Sequence, residues 1–291
     1  MIQRKGIILA GGKGTRLYPL TEAVSKQLLP IYDKPMIYYP ISTLMSIGIQ
    51  DILIITTPHD QESFKKLLGD GAKWGINFQY KSQKRPSGLA QAFTIGKDFL
   101  GTSPSVLILG DNLFHGSSLK KTFNDGNNRI KGATVFAYAV KDPERYGVID
   151  FNEDGLVIDI EEKPKAPKSN YAITGIYFFD NSVIEKSLKV KPSKRGEYEI
   201  TDINNMYLIE QSLHVEIMGR GTAWLDTGNH DSLHEASGYI KTLENRQGLK
   251  VGCPEEIAWR NNWISDKEFK DLAENLKSSS YGNYLLSLII K

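Results

Sequence analysis

The stretch GIILAGGKGTRL, residues 6–17, decides how the rest of the chain is read. Gly6 to Ala10 is short, apolar and followed directly by glycines, so it reads as a buried strand running into a tight loop. Glycines at 11, 12 and 14 let backbone amides approach phosphate oxygens unobstructed and permit positive φ angles. Two familiar phosphate loops fail on spacing. A Walker loop needs Lys-Ser/Thr after its last glycine, but Gly14 is followed by Thr15-Arg16. A dinucleotide fingerprint needs a glycine where Leu17 stands, which argues against a nicotinamide-dependent oxidoreductase. What remains is a glycine loop with cations near it, Lys13, Arg16 and Lys26. Spacing alone also allows a tight turn with solvated charges.

Outward from the loop, short apolar runs alternate with amphipathic stretches. Pro35 to Ile47 carries Met36, Tyr39, Leu44 and Ile47 at helical spacing, and Gly48 stops it. Strand-like Asp51 to Thr57, helical Gln61 to Leu68, strand-like Phe78 to Tyr80, helical Gly88 to Phe99 and strand-like Ser105 to Leu109 follow. Repeated strand and helix predict an α/β fold, a mostly parallel, Rossmann-like central sheet flanked by helices. The second half changes character. Ala133 to Val140, Gly147 to Phe151, Leu156 to Ile160 and Tyr171 to Phe179 read as strands, and helices are expected from Asn229 onward, at Asp231 to Leu243 and Asp266 to Leu276. No repeat or linker divides the chain. We expect one domain over 1–291, with an alternating strand–helix part to about 130, a strand-rich part over 131–228, and a helical C-terminal part over 229–291.

A chain of 291 residues can bury a substantial core. With 36 basic and 34 acidic residues the net charge is +2, which argues against nucleic-acid binding through a broad basic footprint. The single cysteine, Cys253, allows no intrachain disulfide, and a reducing compartment is the natural expectation. The apolar run Ile7–Ala10 is too short for a signal-peptide core, and the tail YLLSLIIK falls far short of the ~20 residues that span a bilayer. The expectation is a cytoplasmic protein.

GGKGTRLYPLT (residues 11–21) and SKQLLPIYDKPMIYYP (residues 25–40) resemble the opening of the sugar-phosphate nucleotidyltransferases. The likeness continues through PSGLAQA (86–92), LGDN (109–112), ERYGV (144–148), EEKP (161–164), RGEYEITDIN (195–204) and AWLDTG (223–228). It spans nearly the whole chain. The long opening motif is specific; each later tetrapeptide alone is weak, and their order and spacing carry the weight. Thr222 stands where an aromatic is common, and Phe114-His115-Gly116 where Phe-Tyr-Gly is frequent. Both departures leave the reaction class untouched and blur fine specificity.

The resemblance implies attack by a sugar 1-phosphate oxygen on the α-phosphorus of a nucleoside triphosphate, with pyrophosphate leaving. A phosphate monoester has its second pKa near ~6, so the nucleophile is already ionised and needs no general base. Cations and a metal ion should dominate. The substrates implied are dTTP and glucose 1-phosphate, giving dTDP-glucose; UTP or another sugar phosphate would use the same machinery. A catalytically silent nucleotide-binding relative would have lost a charged anchor, yet Arg16, Lys26, Asp111, Lys163, Arg195 and Asp226 are all present.

Asp111 ends an apolar strand, where ligands meet open α/β sheets. The resemblance assigns Asp111 and Asp226 to Mg²⁺, although either alone reads equally as a turn cap. It assigns Arg16 and Lys26 to the triphosphate, with Gly11, Gly12, Gly14 and Thr15 lining it, and Lys163 and Arg195 to the sugar phosphate. Lys163 alone would pass as a solvated lysine. Gln83, Pro86 and Gly88 match base-recognition positions, a glutamine amide offering donor and acceptor to a pyrimidine. Asn112, Tyr146, Gly147, Glu162, Gly175 and Trp224 match the sugar site, though both aromatics would otherwise pass as core. A second nucleotide-sugar site is implied for Arg220, Cys253, Glu256, Ile257 and Arg260, with feedback by a dTDP-sugar. A homotetramer and a rhamnose-type polysaccharide pathway are the family's usual setting. A buried, inert thiol is the expectation for Cys253.

Overall fold

The computed structural model describes residues 3–289. Residues 1–2 and 290–291, which end the terminal stretches considered above, lie outside them. A nine-stranded mixed sheet forms the centre, with helices packed on it. Lys5–Ala10 lies at its middle, parallel to Ser105–Leu109 on one side and to Asp51–Thr56 on the other, with Asn77–Ser82 parallel beyond. The three innermost strands are largely apolar because helices cover both faces, and Ile7, Ile8, Leu53, Ile54 and Ile108 are fully buried.

Tyr171–Phe179 continues the sheet antiparallel to Ser105–Leu109 and joins it to the second half, where Ala133–Ala139 and the Gly147–Phe151/Val157–Glu162 pair attach. One core cluster draws on both halves, from Leu9 and Phe93 to Phe179 and Tyr207. The second half is thus an extension of the same sheet.

Several elements differ from expectation. The segment from Gly88 to Phe99 is two short helices, Gln91–Ile95 and Lys97–Leu100. Its first residues are not helical because they pair with another segment: Ala90 donates to Tyr198 O, and Tyr198 N donates to Ser87 O at 2.7 Å. A Cβ on Gly88, at φ +115°, would strike the Tyr198 backbone. The first long helix begins at Tyr38 because Lys34–Pro35 pairs with Pro30–Ile31 in a hairpin. The strand expected at Leu156–Ile160 is Val157–Glu162.

Two short strands escaped the pattern and matter most for the site. Asn112–His115 pairs antiparallel with Ala223–Asp226 in a separate ladder, Asn112 opposite Asp226 and Phe114 opposite Trp224. At four residues each they are too short for a period to show. Thr227 clamps the ladder end, its N–H and hydroxyl both donating to Asp111 O. Residues 108 to 114 positions apart in the chain become neighbours here.

Candidate active site

A cavity of about 280 Å³ opens at the carboxyl end of Ser105–Leu109. Arg16, Lys26, Asp111, Asn112, Tyr146, Gly147, Glu162, Lys163, Gly175, Arg195, Trp224 and Asp226 all line it. The ladder sets Asp111 beside Asp226. A 3-10 turn at Lys26–Leu28 buries the Lys26 stem and delivers its ammonium to Asp111 Oδ2 at 2.5 Å.

The two aspartates are tuned in opposite directions. Burial pushes Asp111 up, but the Lys26 charge and hydrogen bonds from Lys26 and Asn112 outweigh it and hold the carboxyl below its ordinary value. Burial raises Asp226, and repulsion from Asp111 adds to it; Arg145 and the Tyr146 hydroxyl offset only part. Two close carboxylates that repel each other, facing space into which phosphates can enter, make an oxygen-rich place for a hard cation. Among the described residues no cluster of three or more His, Cys, Asp or Glu could hold a metal. Any Mg²⁺ here would therefore draw further ligands from substrate phosphate and water, as that ion prefers.

Lys163 sits in the left-handed region at φ +46°, its N–H donating to Tyr146 O at 2.9 Å. A non-glycine residue there stores local strain. Arg195 lies among three carboxylates, with Glu197 at 2.6 Å, Glu199 at 3.3 Å and Glu162 at 3.8 Å. Thr201 donates to Glu162, and burial raises Glu199. The lining contains five basic and five acidic side chains, so any entering polyanion would have to exchange ion-pair partners. Arg16 makes no ion pair among the described residues. Nothing in the lining is Ser, Thr, Cys or His, so no Ser–His or Cys–His pair faces the cavity.

The remaining sites fall elsewhere. Gln83 lines an adjoining cavity with Lys84, Arg85 and Ser87, and its amide donates to Gly88 O and Gln91 Oε1. A Cβ on Gly11 would lie 3.1 Å from Gln83 Oε1, so loop and glutamine are adjacent. Gly12 opens onto a third cavity with Lys13 and Thr57. Gly14 takes φ +62° before the turn at Thr15–Leu17, and Pro86 lies in the non-helical run before Gly88.

The residues read as a second site are only partly together. Ile257 lines a separate cavity of about 310 Å³ with Tyr39, Phe114, His115, Leu249 and Gly252. Cys253 lies buried behind that lining, its thiol raised by burial and by Glu255. Glu256 is engaged by Arg260 at 2.7 Å and by Tyr284. Arg220 is exposed and outside the cavity lining, since its loop precedes Ala223–Asp226 rather than packing on the C-terminal helices.

Sequence reading missed Arg145. Its guanidinium reaches Asp226 Oδ2 at 3.2 Å and Asp142 at 2.5 Å, and covers the Tyr146 ring. A Cβ on Gly228 would lie 3.6 Å from Arg145 Nη2 and 3.7 Å from Arg16 Nη1, so both guanidiniums converge by Asp226. Arg145 stands within ERYGV, where a cation beside an aromatic was the available signal.

Fold and site together define a phosphate-handling transferase. Residues 5–242 match the nucleotidyl transferase family model, and the chain belongs to that family as a nucleotidyltransferase enzyme. It is 60% identical over 288 residues to the glucose-1-phosphate thymidylyltransferase of Xanthomonas campestris pv. campestris (strain B100), covering 99% of this chain and 98% of that one. The glucose-1-phosphate thymidylyltransferase of Mycobacterium tuberculosis (strain H37Rv) is 55% identical over 285 residues, covering 98% and 99%. The crystal structure of UDP-glucose pyrophosphorylase with UDP-glucose is 26% identical and superposes with a TM-score of 0.68, covering 83% of this chain and 99% of that one.

Proposed function

We propose that the protein transfers a thymidylyl group from dTTP to glucose 1-phosphate, releasing pyrophosphate and forming dTDP-glucose. The observation that carries this reading is the meeting of Asp111 and Asp226 amid Arg16, Lys26, Arg145, Lys163 and Arg195, with no Ser–His or Cys–His pair facing them. The relatives' names supply the nucleotide and the sugar.

The ionised sugar phosphate is its own nucleophile, so the protein's work is to bring two polyanions together and to stabilise the charge that leaves. Lys163 and Arg195 hold the sugar phosphate, while Gly147, Glu162 and Tyr146 meet the sugar. Arg16 draws the triphosphate in, and Lys26 stands where charge builds around the α-phosphate. Gln83 and Gly88 receive the base. Asp111 and Asp226 would hold Mg²⁺, which neutralises phosphate charge when bound. The displacement is direct, with no covalent enzyme intermediate. The test is pyrophosphate release across dTTP and UTP against several hexose phosphates in the presence of Mg²⁺. Preference for UTP would overturn the assignment of the base, and no release from any pair would overturn the reaction.

Feedback by a dTDP-sugar at the cavity around Ile257 and a homotetrameric assembly belong to the same reading. Calorimetry with the product sugar nucleotide should then find two sites per subunit; one would count against the second.

A further inference from the structure

Two residues assigned by resemblance to the sugar are bonded to each other and to a carboxylate, and a third packs against them. The Trp224 indole N–H donates to Asn112 Oδ1 at 2.6 Å, and Asn112 Nδ2 donates to Asp111 Oδ1 at 2.9 Å. Lys26 takes the other oxygen, Oδ2. Asn112 is 3% exposed, with its carbonyl oxygen taken by the indole. Gly175, on the neighbouring strand Tyr171–Phe179, lies against this amide: a Cβ there would come within 2.6 Å of Asn112 Cγ.

The chemistry of the donors fixes the direction of the chain. An indole nitrogen can only donate, so it selects the oxygen end of the asparagine amide. The amide nitrogen is thereby turned toward Asp111, which as a carboxylate can only accept. A flipped amide would set donor against donor at Trp224 and acceptor against acceptor at Asp111. The carboxylate is gripped at both oxygens and keeps further lone pairs for another ligand.

We propose that Trp224, Asn112 and Gly175 form a positioning relay that sets the Asp111 carboxylate for a divalent cation. This rests on the metal reading above. Asn112 and Trp224 are positioning residues: they act through Asp111, and Gly175 leaves the amide its room.

The test is binding of Mn²⁺, followed by loss of its free electron paramagnetic resonance signal, with dTTP present and no sugar phosphate. Wild type should bind it. Trp224→Phe, which keeps the ring and removes the N–H, should weaken binding about tenfold, the lower end of what outer-shell partners of metal ligands contribute. Asn112→Ala and Gly175→Ala should weaken it similarly. The double variant Trp224→Phe/Asn112→Ala should be no weaker than Asn112→Ala alone, because both act through one bond chain. Additive losses would indicate general structural damage and overturn the relay. Wild-type Mn²⁺ affinity in Trp224→Phe with a raised KM for glucose 1-phosphate would make these residues sugar contacts only. If wild type binds no Mn²⁺, the metal reading fails first and the relay with it.

Discussion

Two charged clusters, one at the Pro30–Ile31/Lys34–Pro35 hairpin and one in the cavity at Asp111 and Asp226, are built differently. In one, Lys34 meets Asp33 at 2.6 Å and Glu244 at 2.9 Å, while Lys250 meets Glu244 at 2.6 Å and also pairs with Asp33. Val251 N–H closes on Glu244 at 3.0 Å. The Lys34 and Glu244 side chains are 2% and 4% exposed. In the other, Asp111 and Asp226 repel each other in an open cavity, and Arg16 is unpaired among the described residues. Burial acts on both clusters. In the closed one two ammonium groups overcome it and depress Asp33; in the open one a second carboxylate reinforces it and raises Asp226. Charges that satisfy one another tie the hairpin to the His230–Gln247 helix; charges left in tension await a ligand.

The sharpest way to break this comparison is Asp226→Asn. Its kcat should fall roughly 10³-fold, about 4 kcal/mol of transition-state stabilisation, because a metal carboxylate is lost. Its Tm should hold or rise, since repulsion with Asp111 is relieved. Near-normal turnover in saturating Mg²⁺ would refute the metal assignment.

Glu244→Ala should do the reverse, removing about 3 kcal/mol of stability by leaving the Lys34 and Lys250 ammonium groups to share Asp33 as their remaining carboxylate. Denaturant unfolding would show this while turnover per folded molecule stays unchanged. Lost turnover with an unchanged midpoint would place the closed cluster in the reaction.

Lys163→Ala comes next. The KM for glucose 1-phosphate should rise about tenfold, the ~1.5 kcal/mol of one charge-assisted hydrogen bond, with a smaller change for dTTP. Equal effects on both substrates would point to a folding defect.

The smallest effect is in the pH dependence of stability. Asp33 lies below its unfolded value, so its contribution is complete above the ordinary carboxylate range and is lost as pH falls through the depressed value. Asp226 lies above its unfolded value, so ionising it costs stability as pH rises from the ordinary range through the raised one. Urea midpoints from acid to neutral pH should therefore show Asp33→Asn losing its penalty at the acid end. Asp226→Asn should gain on wild type toward neutrality. Parallel profiles would erase the electrostatic contrast between the clusters.

Much of the parallel half was legible because buried strands such as Ser105–Leu109 and helices such as Gln61–Leu68 carry their period within a few residues. Gly88 to Ala90 was misread as helix because its partner, Tyr198, lies more than a hundred residues away. Arg145 went unmarked because its significance is its distance to Asp226. Asn112 carried only a motif's meaning until its amide was seen between Trp224 and Asp111.

Local chemistry, then, was written in the chain itself: a buried strand ending in glycines, cations beside it, and carboxylates at apolar strand ends. Periodicity and residue type act over a few positions, and such signals survive in one dimension. Which carboxylates face each other, which lysine clamps Asp111 and which amide is turned by an indole depended on the Asn112–His115/Ala223–Asp226 ladder. Pairing across more than a hundred residues is chosen by the packing of the whole sheet, and hydrogen-bond direction by atoms that meet only once that packing is complete.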